Sequence, residues 1–180
     1  MSSTDAASPQ ELVRKRIEET NAEFIAAPRE RRRVMLAEDI LHQLSLGRIE
    51  AMSTYLRFDG MRKIYNPETD EDYDHEIKDI LSEVPKCQVC GIGAFFVCAV
   101  ERLDEIRVHE WVLGVNSRGA IMRYLGRLDL FTASELDAIE DYFEHGRNPV
   151  QHTLRLENIA ETIIKTKGAY LFDITGSTPF

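Results

Sequence analysis

Long apolar runs are missing from this chain of 180 residues. Even the stretch within 87–100 falls short of the ~18 residues that a membrane span requires, so no spanning helix is expected. The opening residues MSSTDAASPQ hold neither the basic nor the apolar region of a secretory signal, and a cytosolic location is the expectation. Cysteine is scarce. The chain has 3, an odd number that does not make a disulfide framework and reads as thiols in a reducing compartment. An excess of positive charge is lacking as well. Lysine and arginine number 22 against 31 acids, a net charge of −9. Such a body is repelled by phosphate backbones and anionic membranes unless a local patch overrides it. G-x-S-x-G, H-E-x-x-H, P-loop and dinucleotide motifs are all absent.

What is present is helical periodicity over a composition that is 43% hydrophobic and 29% charged, enough for one domain with a real core. SPQELVRKRIEETNAEFIAAP has Ser8 as N-cap, Pro9 at the first helical position and Glu11 in the capping-box position. Val13, Ile17, Thr20 and Phe24 then make one stripe. A second helix, about 30–46, turns Val34, Ala37, Leu41 and Leu44 inward and stops at Gly47. A short strand is expected around 53–58, a polar loop at NPETDEDYDHE, and a third helix at about 73–83. Further helices are expected at about 87–103, 118–126, 133–145 (capped by Thr132 in TASE) and 149–167, the last followed by a strand in AYLFDI.

The fold expected is therefore mainly α: a single-domain helical bundle around a central apolar helix at 87–103. A minor two-stranded β-ribbon joins the segments near Tyr55 and Tyr170. Residues 1–8 and 176–180 are read as flexible ends of a helical domain over 9–175.

PKCQVCGIGAFFVCAV, residues 85–100, gathers all three cysteines. Its C-x-x-C has the spacing of a redox pair or of half a zinc site, where a thiol at a helix N-terminus is activated by the dipole. A second ligand pair is missing, however, and Pro85 follows a helical segment instead of the strand that a thioredoxin-like unit needs. At helical spacing the same residues form a stripe of small side chains, and Gly91 and Gly93, each costing about 1 kcal/mol against alanine, ask for close approach of another element or a ligand. A packed thiol stripe is the expectation, with no metal and no cofactor.

Other clusters lie outside that helix. Arg31, Arg32 and Arg33 in RERRR crowd a helix N-terminus, where cations oppose the dipole; they either meet an anionic ligand or pair with nearby acids. ETDEDYDHE carries Asp70, Glu71, Asp72 and Asp74, a candidate surface for a basic partner or a solvated loop. It departs from a calcium loop, because His75 replaces the glycine and Leu81 the bidentate glutamate. The pairs Asp39 with His42 and Asp72 with His75 have D-x-x-H spacing without the further carboxylates of a di-metal bundle. His109, beside Trp111, sits in a long loop where binding residues concentrate.

Taken together, AEDILHQL with Gly47, CQVCGIGAFFV at 87–97, LFTASELDAIEDYFE at 130–144 and RLENIAETIIKTKGAY at 155–170 resemble a family of uncharacterised proteins of bacteria and their phages. The resemblance implies a phage or mobile-element context and carries over no catalytic residue. The functional expectation is a non-catalytic cytosolic binding protein acting on a host protein partner in counter-defence, with Asp70, Glu71, Asp72 and Asp74 as the partner surface. Two alternatives stand beside it. One is a small-ligand protein, for instance for a nucleotide signal, using Arg31, Arg32, Arg33, His109 and Trp111. The other is an enzyme dependent on a Cys or His site or on a metal.

Overall fold

The computed structural model describes residues 6–58, 81–82, 84–103 and 118–169, with Phe58 described in its backbone alone. Six helices and three short strands occupy them: α1 (Pro9–Ala26), α2 (Arg29–Ser45), β1 (Ile49–Ala51), β2 (Leu56–Phe58), β3 (Cys87–Val89), α3 (Gly91–Leu103), α4 (Arg118–Arg127), α5 (Ala133–Glu144) and α6 (Pro149–Lys165). The architecture is mainly helical, as the periodicity requires.

The helix starts follow local chemistry. Ser8 Oγ accepts the Glu11 N–H at 3.3 Å while Glu11 Oε2 accepts the Ser8 N–H at 2.7 Å, and Thr132 with Glu135 repeats the exchange at 3.2 and 2.7 Å. Losing either cap would cost about 1 kcal/mol. α6 opens on Asn148, whose Oδ1 accepts the Gln151 N–H at 3.0 Å, with Pro149 in the first turn. At the other ends, Gly47 and Gly168 take φ of +67° and +70°, the left-handed conformation that lets a chain leave a helix.

Helix α3 is the core. Every residue from Gly91 to Arg102 is buried, and α2, α4 and α5 pack around it while α6 lies along α2. Phe95 meets Phe131 edge to face at 5.1 Å, and Phe96 meets Tyr124 at 5.2 Å. Of the inward stripes, Val13, Phe24, Val34, Ala37, Leu136, Ile139, Phe143, Leu156, Ile159, Ala160 and Ile163 are buried, while Ile17, Thr20, Leu41 and Leu44 are half-buried.

The start of the central helix changes. The central helix begins at Gly91, because Cys87–Val89 form a strand; Cys87 and Val89 are buried and Gln88 between them is half-buried. That strand is the middle of a three-stranded sheet in the order β1-β3-β2, in which the strand expected near Tyr55 is the edge strand β2. It runs parallel to β1, with Ile49 opposite Cys87, and antiparallel to β2, with Leu56 opposite Val89. The apolar run passes unbroken from strand to helix, which hides the change of period. The partner first assigned to the Tyr55 strand, the segment from Tyr170 onward, lies outside the described residues. So do the loop at 104–117 and the helix expected at 73–83, apart from Leu81 and Ser82.

The glycines of α3 meet protein rather than ligand. A Cβ on Gly93 would stand 1.8 Å from the Tyr55 carbonyl oxygen, and one on Gly91 would stand 3.0 Å from Phe143 Cβ. The small-residue stripe is thus the seat on which the chain entering β2 and helix α5 rest.

Candidate functional site

The thiols do not form a reactive pair. Cys87 lies in β3 and Cys90 caps α3, its Sγ accepting the Gly93 N–H at 3.4 Å. A helix N-terminus favours a thiolate. Here burial wins and, with Glu144 and Glu140 nearby, pushes the Cys90 thiol up to about 12 against the Gly93 N–H. Burial and then Glu101 hold Cys98 well above its ordinary value. All three cysteines are buried, and no group of three or more His, Cys, Asp or Glu suited to a metal ion occurs among the described residues.

The arginine cluster diverges. Arg33 is buried and donates to the carbonyls of Leu130 and, at 3.0 Å, Gly168, and to Glu135 Oε2 at 2.8 Å. It pins α2 to the start of α5 and the end of α6. Arg32 donates to the Ile25 carbonyl at 2.6 Å, and Arg31 pairs with Glu23 at 2.9 Å and Glu38 at 3.3 Å. The three guanidinium groups therefore serve three separate sets of acceptors. Asp70, Glu71, Asp72, Asp74, His109 and Trp111 lie outside the described residues.

Asp39 and His42 part company as well. Both Asp39 oxygens are taken by Arg102, at 2.6 and 2.9 Å, and Oδ1 also accepts from Arg16 at 2.9 Å. Burial and then Arg16 hold the His42 imidazole below its ordinary value despite Asp39, which keeps it neutral at pH 7.

The feature with unspent chemistry is a cavity of about 640 Å³ between α1, the end of α3, and residues 48 and 81–82. Val13, Ile17 and Leu81 supply apolar wall; Asn21, Arg48 and Glu101 supply polar groups. Arg48 follows the left-handed turn at Gly47. Its N–H donates to the Gln43 carbonyl at 2.9 Å and its carbonyl accepts the Cys87 N–H at 3.0 Å, so its backbone is held at the sheet edge. The side chain, 1% exposed, sends Nη2 to the Leu81 carbonyl and to within 3.8 Å of Glu101 Oε1. Its Nε and Nη1 are buried with no partner among the described residues, as is Asn21 Oδ1. A buried polar group left unsatisfied costs about 1–3 kcal/mol, so three of them on side chains lining one cavity call for a partner.

Glu101 completes the arrangement. Its Oε2 accepts from Gln43 Nε2. Burial, opposed by Arg48 and Gln43, pushes its carboxyl up to about 7. A cavity with apolar wall, a buried cation short of acceptors and an acid poised near neutrality is the combination expected of a binding site. None of Asn21, Arg48 and Glu101 was singled out from sequence. One sign was available: Glu101 and Arg102 end a helix that is apolar nearly all round, so their charges had to be buried.

No protein-family model, curated protein or solved structure matches the chain. The resemblance drawn above rests on its four motifs alone. No helix among the described residues is long and apolar enough to cross a membrane.

Proposed function

We propose that this protein is a small-ligand-binding protein whose site is the cavity at Arg48. The observation that carries the reading is the buried guanidinium with two N–H groups lacking acceptors beside a cavity of about 640 Å³, a size in the range of known ligand pockets. The polar group it accommodates best is an anion, since Arg48 offers donors only. The site differs from the one anticipated at Arg31 to Arg33, whose guanidinium groups turn to separate acceptors within the fold, with Arg32 Nε alone of that cluster buried and unpartnered among the described residues. A thermal-shift screen of the full chain against carboxylates, nucleotides and amino acids tests it. A ligand at ~100 times its dissociation constant stabilises by about 2.7 kcal/mol, and Arg48→Lys should abolish most of the shift. Equal shifts in the wild type and the variant would remove Arg48 from the site.

A second reading keeps the acidic segment. The net charge of −9 favours capture, in the cytosol, of a basic host protein by Asp70, Glu71, Asp72 and Asp74, in a phage counter-defence role. Neutralising those four residues should weaken capture from host lysate, and unchanged capture would eliminate this reading.

A further inference from the structure

We infer that the ligand is a small monocarboxylate with an apolar body, whose carboxylate replaces Glu101 as the counter-ion of Arg48 while Glu101 takes up a proton from water. The inference rests on the cavity being a ligand site.

The charges on the described residues of the wall favour a ligand with one negative charge. Arg14 and Arg48 face the carboxylates Glu11, Glu18 and Glu101. Arg14 already pairs with Glu18 at 3.7 Å, and both are largely exposed, so among the described lining residues Arg48 is the buried cation left to receive an anion. A second negative charge on the ligand would meet Glu11, Glu18 and Glu101 with no further cation among the described lining residues to offset them. Val13, Ile17 and Leu81 favour an apolar body, and Asn21 Oδ1, whose amide nitrogen donates to the Arg102 carbonyl at 3.3 Å, awaits a hydroxyl or amine donor.

The exchange at Arg48 follows from its loose pairing. Glu101 Oε1 stands 3.8 Å from Nη2, beyond hydrogen-bond distance, so a well-placed ligand carboxylate makes a stronger contact than the one it displaces. Two carboxylates beside one guanidinium do not both stay ionised, and the buried one takes the proton.

The surroundings of Glu101 support that outcome. From α2 it faces Asp39 and Gln43; from its own helix, Cys98 and Arg102; from the segment before β1, Arg48; and α1 carries Arg14 and Glu18 on the same cavity. Asp39 is matched by Arg102 and Arg16, which leaves Arg48 as the cation that Glu101 depends on. Gln43 Oε1 is buried without a donor among the described residues. Turning that amide over would present Oε1 to a protonated Glu101, so both charge states can be hydrogen-bonded. The carboxyl already sits near neutrality before any ligand arrives.

Calorimetric titration of the full chain with octanoate, in two buffers of different ionisation enthalpy between pH 6 and 8.5, tests the inference. Adenosine monophosphate and octanamide serve as comparators. Octanoate should bind with uptake of about one proton at pH 8, and its affinity should fall about tenfold per pH unit above neutrality. The dianion and the amide should bind at least ~10-fold more weakly, the equivalent of one lost charge-assisted contact. Glu101→Gln should bind octanoate with no proton uptake and no pH dependence, and Arg48→Lys should lose at least ~10-fold. Should the Arg48 variant fail to fold, Glu101→Gln carries the test. Octanoate binding without proton uptake, or with the same pH dependence in Glu101→Gln, would overturn the exchange and leave the cavity standing. Arg48-dependent binding of the nucleotide in place of octanoate would overturn the ligand class. Binding of no compound in either titration or thermal screen would overturn both this inference and the cavity reading.

Discussion

Two buried ion pairs join α3 to the elements beside it, from adjacent residues, and they are built differently. Arg102 grips Asp39 with two bonds, 2.6 and 2.9 Å long, and Thr20 at 3.0 Å and Arg16 at 2.9 Å close the cluster. Glu101, one residue earlier, meets Arg48 only at 3.8 Å beside a cavity, with two guanidinium nitrogens unpartnered among the described residues. The first pair holds α1, α2 and α3 in place. The first also leaves Arg102 Nη1 buried without a partner among the described residues, but Arg102 does not line the cavity; the second leaves two such nitrogens on a residue of the cavity wall, and that is why the functional reading rests on it. Burial alone does not mark a site; incomplete pairing next to a cavity does.

Breaking the tight pair should have the largest effect. Asp39→Asn leaves Arg102 and Arg16 without their shared carboxylate inside the protein and should cost about 3–5 kcal/mol in urea denaturation. Glu101→Gln should act in the opposite direction. The folded carboxyl lies near 7 against 4.5 for an unperturbed glutamate, so the native state holds that proton more tightly than the unfolded chain. Its contribution to stability is fully present below pH 4.5 and is lost as pH rises toward 7. Glutamine stays neutral throughout. The variant should therefore match the wild type at pH 4.5 and exceed it by up to about 3 kcal/mol at pH 8, read from denaturation midpoints across pH.

Removing both partners sharpens the contrast. Arg48→Met with Glu101→Gln should lie within about 1 kcal/mol of the wild type at pH 8, because both charges leave together, whereas Asp39→Asn with Arg102→Met should stay destabilised, since Arg16 and Thr20 lose partners. Smallest of all, Arg118→Ala breaks exposed pairs with Asp137 and Glu140 and should change stability by less than about 1 kcal/mol.

Most of the helical frame was legible because its signals are local. Ser8 and Glu11, Thr132 and Glu135, and the glycines at 47 and 168 lie within a turn of the helix ends they define. The sheet was less so. Strands of three residues give hardly more than one alternation, and β3 runs into an apolar helix, so Cys87–Val89 resembled its first turn. The cavity was not legible. Arg48 follows a helix-ending glycine, where a basic residue normally lies in solvent, and its partners are Leu81, 33 residues on, and Glu101 on another helix. Such a site exists only after α1, α2 and α3 have packed. The reading of C-x-x-C as a packing element agrees with the burial of its thiols, but helical spacing was not the reason, since Cys87 lies in β3 and Cys90 just before α3.

The state of the Glu101 carboxyl is open to direct observation by carbon-13 NMR titration of the full chain, free and with octanoate. A midpoint near 7 in the free protein, moving upward when octanoate is added, is the predicted result. A midpoint at the ordinary 4.5, unmoved by octanoate, would contradict the poised acid beside Arg48 and the ligand exchange built on it.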